Sequence, residues 1–175
     1  TDEKYAHEIG NIQKTVDSYA KKYDTKIPIA VAGGIDTPQK VKHVLNLGVQ
    51  AVQVGTRFVT TEECDADIRY KQAYIKACKE DIVIVKSPVG MPGRAIKNTM
   101  LESVLRGENI PPRKCYHCLA KCDPGKIPYC ITKALIEAAK GNTEEGLLFC
   151  GANAYRAEKI ETVKEVIANL MQECV

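Results

Sequence analysis

Two apolar runs, each of which stops at glycine, constrain the fold of this chain more than any other feature of its sequence. The first reads IAVAGGI from Ile29 to Ile35, and the second reads VQVGTRF from Val52 to Phe58. Runs that are rich in β-branched residues and bounded by glycine are typical of buried strands in a parallel sheet. The glycines then lie at the carboxyl ends of the strands, which is the edge of such a sheet where ligands bind.

A helix with clear start and stop signals separates the two runs. Thr37 is placed to cap it, Pro38 suits its first position, and Gly48 follows its last apolar residues. The spacing of apolar residues predicts an amphipathic helix from Asp2 to Tyr23, and a third helix is expected from about Ala66 to Cys78. This order of helices and strands predicts a parallel sheet with right-handed crossovers.

Two architectures satisfy this order, a doubly wound sheet and a (β/α)8 barrel. In both, glycine at successive strand ends exposes backbone N–H groups, and the N-terminus of the following helix adds a partial positive charge. A phosphate group is therefore the expected ligand. The alternative is that Gly33, Gly34 and Gly55 only form tight turns.

The charge and composition of the chain favour a small-molecule ligand. Its 175 residues include 25 basic and 22 acidic side chains, spread evenly, so neither a nucleic-acid partner nor a membrane surface is indicated. No apolar stretch is long enough to span a bilayer and no signal peptide is recognised, which predicts a cytoplasmic protein. The chain begins at Thr1 rather than methionine, and we expect it to be a fragment.

Four segments together resemble one family of flavoenzymes. PIAVAGGI, GVQAVQVGTRF, SPVGMPGRAI and the closing CGANAYRAEKIETVKEVIANL are similar to the C-terminal half of the nitronate monooxygenases, formerly called 2-nitropropane dioxygenases. That family also includes flavin-dependent enoyl-acyl-carrier-protein reductases. The resemblance implies the C-terminal part of an FMN-binding (β/α)8 TIM barrel with an appended, mostly helical segment. Residues 1–80 would hold the last βα units and the phosphate loops, and residues 81–175 the appended loop, cysteine-rich and helical segment.

The same resemblance assigns cofactor and substrate contacts. The FMN phosphate would lie against the loops after the seventh and eighth barrel strands, at Gly33, Gly34, Gln53, Val54, Gly55 and Thr56. Met91 and Arg94 belong to a loop rich in proline and glycine that would lie near the mouth of the active site, where they would contact flavin or substrate. The alternative for these two residues is a plain connecting loop.

No catalytic residue is identified in this chain. The family carries a Gly-Gly-His motif upstream of the AGGI strand, and its histidine is the usual candidate for the catalytic acid or base. Here only His7 lies in that region, and Tyr5 and Ala6 replace the two glycines. His7 also falls away from the apolar stripe of its helix, so we expect it to face solvent and regard it as a weak candidate.

Four cysteines crowd into one short segment. Cys115, Cys118, Cys122 and Cys130 follow the spacing C-x2-C-x3-C-x7-C, with His117 among them. Thiolates at such spacings bind zinc or an iron–sulfur cluster, but the strongest zinc pattern has two C-x2-C pairs and this segment has one. Free thiols or an isolated disulfide are the favoured interpretation, and no metal is expected.

The predicted function follows from the resemblance. It is the FMN-dependent oxidation of alkyl nitronates with dioxygen by the intact protein. The alternatives are the FMN-dependent reduction of an enoyl thioester of an acyl-carrier protein and a non-catalytic fragment that binds flavin or phosphate. We expect the chain alone to be inactive and to pair with itself or with the missing N-terminal half, because two open strands leave apolar edges exposed.

Overall fold

The computed structural model describes residues 2–112, 114–115, 117–120 and 122–174. The chain forms two compact units, the first made of residues 1–54 and 164–175 and the second of residues 55–163. Both contain helices and strands, which confirms the α/β class. The division between residues 80 and 81 concerns the end of a barrel and stays a prediction. No helix within the described ranges is long and apolar enough to cross a membrane.

The first unit is built around a βαβ arrangement. Its elements are α1 (Asp2–Tyr23), β1 (Ala30–Ala32), α2 (Pro38–Asn46), β2 (Ala51–Gln53) and all but the first residue of α6 (Val163–Met171). Strands β1 and β2 pair in parallel, in the register Ala30 to Ala51 through Ala32 to Gln53. The predicted parallel pair joined by a helix is therefore confirmed.

The capping signals of α2 act as the sequence predicts. The Thr37 hydroxyl oxygen accepts a hydrogen bond from the Lys40 amide at 3.2 Å, and Pro38 is the first helical residue. Gly48 follows the helix with φ +90°, a left-handed conformation that glycine adopts without strain. Residues on one face of α2, among them Val41 and Val44, are buried.

The two strands of the first unit are less buried than the sequence predicts. Val31 and Val52 are half-buried, while the flanking residues of both strands are exposed. The prediction of buried strands is wrong for this chain because, within the described residues, β1 and β2 have only each other as partners. Buried strands in parallel sheets need neighbours and covering helices on both faces.

The second unit contains an antiparallel hairpin that the sequence did not indicate. Its elements are α3 (Ile68–Lys76), β3 (Ile82–Lys86), β4 (Pro92–Ile96), α4 (Thr99–Leu105) and α5 (Ile131–Ala139), with short 3₁₀ turns at Thr56–Phe58, Lys79–Asp81 and Ala154–Arg156. Strands β3 and β4 pair from Ile82 with Ile96 to Lys86 with Pro92. The prediction of an irregular loop through Pro92 and Gly93 is wrong. Proline is tolerated where it begins a strand, and a Cβ on Gly93 would clash with the Phe149 ring.

The core of the second unit consists of two apolar clusters. One contains Val85, Ala95, Met100, Leu101, Tyr129, Ala134 and Leu147, and the other contains Tyr74, Ala77, Ile96, Ala138, Leu148 and Ala154. The close approach of the chain at Gly146 holds this core together. A Cβ on Gly146 would lie 2.6 Å from the Ala138 Cα atom in α5.

A pair of tyrosines ties the second cluster to the backbone. The fully buried Tyr74 donates its hydroxyl to the Phe149 carbonyl at 2.5 Å, and its oxygen lies 3.0 Å from the hydroxyl of Tyr70. Burial raises the pKa of both phenols above the ordinary tyrosine value, and the neighbouring Tyr70 adds to the increase at Tyr74. Both hydroxyls therefore stay protonated in the folded chain at neutral pH.

Candidate functional site

The glycines after β1 adopt conformations that favour glycine. Gly33 has φ +100° and Gly34 has φ +67°, and both are exposed. An ideal Cβ at either position meets no atom within 4 Å. Backbone conformation alone explains glycine here, and the open space above it leaves the turn accessible. Helix α2 follows directly, so its N-terminus contributes partial positive charge in the same unit.

The described residues do not explain why position 55 is a glycine. Its φ is −115°, which other residues adopt, and an ideal Cβ at this position meets nothing within 4 Å. Neither backbone strain nor crowding by the described residues therefore demands a glycine after β2. A bare backbone at an exposed position lets an external group approach the main chain closely.

The residues beside Gly55 differ in their exposure and in the polar groups that they offer to a ligand. Gln53 is exposed, Val54 is half-buried, and the Thr56 hydroxyl oxygen accepts a hydrogen bond from the Gly151 amide at 2.8 Å. A threonine hydroxyl carries one proton in addition to its acceptor sites. The bond from Gly151 does not use the Thr56 hydroxyl proton, which a ligand oxygen could accept.

An internal ion pair anchors the turn that follows Gly55. The Arg57 Nη1 atom lies 2.9 Å from the Glu161 Oε2 atom, and these side chains are only 19% and 13% exposed. Glu161 also forms an isolated parallel bridge with the fully buried Thr61. The buried Lys71 donates its ammonium group to the carbonyls of Thr61 at 2.7 Å and Glu62 at 3.1 Å. These contacts hold the turn in one conformation.

The sequence did not reveal this support. Arg57 and Glu161 are 104 positions apart, and no short motif connects them. Lys71 lies on a helical face that contains a buried tyrosine, Tyr74, so its burial follows from helical spacing once α3 is known. That spacing is the one signal by which Lys71 could have been found.

Met91 and Arg94 lie in the β3–β4 hairpin. Met91 is 74% exposed in the turn, and Arg94 is exposed on β4 opposite Ile84. Burial raises the pKa of the nearby Cys150 thiol to about 11, an effect that the Arg94 guanidinium opposes. Their predicted contact with flavin or substrate stays a prediction.

His7 lies on the solvent side of α1, as its helical position predicts. Its side chain is 72% exposed, and its Nδ1 atom lies 3.3 Å from the Asn11 amide nitrogen and 3.9 Å from a Glu8 carboxylate oxygen. These neighbours all belong to the same helix. None of the described residues shields His7 from water, whereas a catalytic acid or base in a closed flavin site is shielded from it.

The four clustered cysteines, here called the cysteine quartet, line one cavity of about 590 Å³ in the second unit. The His117 amide donates to the Cys115 sulfur at 3.4 Å, and the Cys118 sulfur lies 3.2 Å from the Thr132 hydroxyl oxygen. Burial, followed by the other three thiols of the quartet, raises the pKa of Cys122. All eight cysteines of the chain are free thiols. Among the described residues, no three His, Cys, Asp or Glu side chains are arranged to hold a single metal ion.

The chain is similar in sequence to proteins named nitronate monooxygenase and in shape to two solved structures. The "Probable nitronate monooxygenase" of Staphylococcus haemolyticus is 37% identical over 87 residues, which cover 49% of this chain and 24% of that protein. The "Nitronate monooxygenase" of Pseudomonas aeruginosa is 28% identical over 151 residues, which cover 84% of this chain and 39% of that protein. The chain thus spans well under half the length of these relatives.

Solved structures and a family model extend the comparison over most of the chain. FabK from Thermotoga maritima matches 85% of this chain and 44% of its own with a TM-score of 0.66 and 26% identity. A nitroalkane oxidase from Streptomyces ansochromogenes matches 87% of this chain and 42% of its own, with a TM-score of 0.60. At 23% identity that second likeness concerns the fold alone. The family model described as nitronate monooxygenase matches residues 3–173, and the chain therefore belongs to the nitronate monooxygenase family.

Proposed function

We propose that this chain is part of an FMN-dependent oxidoreductase that oxidises alkyl nitronates with dioxygen. The observation that carries the proposal is the glycine at position 55, just after a parallel strand. Neither its backbone conformation nor crowding by the described residues requires a glycine there. Membership of the family and the names of the relatives from two bacteria support the choice of substrate.

The proposed architecture is the C-terminal part of a (β/α)8 barrel. In that arrangement β1 and β2 are the seventh and eighth strands, whose following loops frequently bind phosphate in such barrels. The parallel β1–β2 pair with a helix between supports this assignment. The remaining strands would come from the rest of the protein, either in the same chain or in an associated one.

The exposed glycines after both strands support a phosphate site at these strand ends. We assign its contacts to Gly33, Gly34, Gln53, Val54, Gly55 and Thr56. Backbone amides bind a phosphate without a balancing side-chain charge because the helix N-terminus supplies partial positive charge. The hydroxyl proton of Thr56, left available by its contact with the Gly151 amide, would be donated to a phosphate oxygen. When bound, the flavin would supply the redox chemistry of the reaction.

Contacts within residues 55–163 would favour ligand binding at Gly55 and Thr56. The Arg57–Glu161 pair and Lys71 fix the turn after Gly55, so the donors there need little ordering when a ligand binds. The exposed hairpin residues Met91 and Arg94 would contact substrate or flavin at the mouth of the site. The acid or base of the reaction would come from outside residues 1–175, since His7 faces solvent.

Two assays on the intact protein and on this chain test the proposal. Oxygen consumption with a propionate nitronate by the intact protein, with none by this chain alone, is the expected result. Oxidation of NADH with an enoyl thioester, without oxygen consumption, would instead identify the second activity that the resemblance implies. Turnover by residues 1–175 near the rate of the intact protein would show that the catalytic group lies within this chain and would make His7 the leading candidate.

A further inference from the structure

The cysteine quartet has no role in the proposed flavin chemistry, yet its four members lie around one cavity. The four sulfur-bearing residues come from two regions, three from residues 115–122 and one from position 130, immediately before α5. All four border the same cavity of about 590 Å³. A water molecule's share of liquid volume is about 30 Å³, so this space admits a group of many atoms.

In place of the free thiols that the sequence favours, we propose that the cysteine quartet binds an iron–sulfur cluster with one thiolate from each of its four members. Four-iron and two-iron clusters are held by four cysteine thiolates, three of which commonly come from one closely spaced run. The C-x2-C-x3-C run followed by a more distant fourth cysteine matches that arrangement. The four thiols border one cavity, and a cluster with one thiolate from each member would occupy that cavity.

Local backbone geometry at the first two cysteines suits this use. The His117 amide donates to the Cys115 sulfur, and hydrogen bonds to sulfur ligands are a main means of tuning such clusters. His117 adopts φ +52°, a left-handed conformation that is uncommon outside glycine and concentrated at functional sites. The His117 amide is thus already directed at the first sulfur of the quartet.

The wall of the cavity matches the charge of such a group. Lys114, Lys133 and Lys140 line it, against the carboxylates of Glu137 and Glu145. An iron–sulfur cluster with four thiolates is an anion overall, which a majority of cationic side chains stabilises. Apolar side chains such as Leu119, Ile127 and Ile136 form part of the same wall.

Metal and sulfide analysis of the intact protein, purified without oxygen, tests this proposal. About four or two iron atoms and an equal number of acid-labile sulfides per chain are expected, with an electron paramagnetic resonance signal after reduction. Cys118→Ser and Cys122→Ser should each lose most of the iron and sulfide. Cys78→Ser, which changes an exposed cysteine outside the quartet, should retain both.

The outcomes separate this proposal from the proposed flavin function. Flavin content, measured on the same samples after release from the protein, reports whether each variant still folds and binds its cofactor. Iron and sulfide lost with flavin retained supports the assignment. One zinc per chain without sulfide, the absence of iron both from the purified protein and after incubation with iron and sulfide, or full iron in both quartet variants would each overturn it.

Discussion

Removal of one buried hydroxyl tests how the second unit is held together. In Tyr74→Phe the ring remains, but the Phe149 carbonyl loses its donor and the Tyr70 hydroxyl loses its partner. Leaving a buried polar group unsatisfied costs about 1–3 kcal/mol. For a chain of this length each kcal/mol lowers Tm by about 2–4 °C, so we expect a decrease of about 2–12 °C.

Thermal unfolding followed by circular dichroism at neutral pH measures this change. Tyr23→Phe is the matched control, because Tyr23 is 60% exposed at the end of α1 and keeps its ring stacking with Tyr19 after the change. The control should leave Tm within about 1 °C, since surface substitutions are usually within ±0.5 kcal/mol. Equal Tm values for Tyr74→Phe and Tyr23→Phe would refute the assigned role of the hydroxyl.

The burial of Tyr74 also predicts that the stability of the folded chain falls at alkaline pH. The pKa of Tyr74 is raised in the folded chain, whereas an unfolded tyrosine loses its proton near pH 10. Below that pH both the folded and the unfolded chain keep the Tyr74 proton, so Tyr74 makes its full contribution to the free energy of unfolding. Above it only the unfolded state releases the proton, so stability falls by up to about 1.4 kcal/mol per pH unit. Urea unfolding between pH 9 and about 11 should show a shallower loss in Tyr74→Phe. Identical slopes would contradict the buried phenol.

Substitutions at Gly146 and Lys71, with Gly10→Ala as a control, examine packing and a buried cation. Gly146→Ala should destabilise the chain strongly in urea unfolding, because the new Cβ would lie 2.6 Å from the Ala138 Cα atom, while Gly10→Ala on α1 meets nothing and should stabilise by up to about 1 kcal/mol. An equal effect of both substitutions would show that Gly146 lies farther from helix α5 than the structure indicates. Lys71→Met should lower the free energy of unfolding by about 1–3 kcal/mol, because the carbonyls of Thr61 and Glu62 lose their donor. Unchanged stability would show that water replaces the lysine ammonium group.

Local chemistry explains which elements the sequence could predict. Helix α2 was predictable because Thr37, Pro38 and Gly48 act through their own backbone and near neighbours. The β3–β4 hairpin was not, because glycine at position 93 is required by contact with the Phe149 ring, far along the chain. A pattern of proline and glycine read locally indicates only a break in regular structure.

The candidate site also has features that the sequence shows and features that only the folded chain shows. The glycines after both strands stand out in the sequence because they follow apolar runs, and the structure places them at exposed positions. The Arg57–Glu161 pair, which anchors the turn after Gly55, joins residues that only the folded chain brings together. Burial of the strands was wrongly predicted because it depends on neighbouring strands, which composition and spacing within this chain do not supply.

Affinity for FMN at Gly55 is the most direct measure of the central claim. Gly55→Ala and Gly55→Val, made in the intact protein, place a side chain where the described residues leave open space, and folding should be unaffected. Loss of one hydrogen bond to a charged group costs about 1.5–3 kcal/mol, so the Kd for FMN should rise about 10- to 100-fold in Gly55→Ala. Gly55→Val should lose its yellow flavin absorbance on purification, and Gly10→Ala should keep the wild-type Kd. Stoichiometric FMN bound by Gly55→Val with an unchanged Kd would contradict the claim and place the phosphate elsewhere.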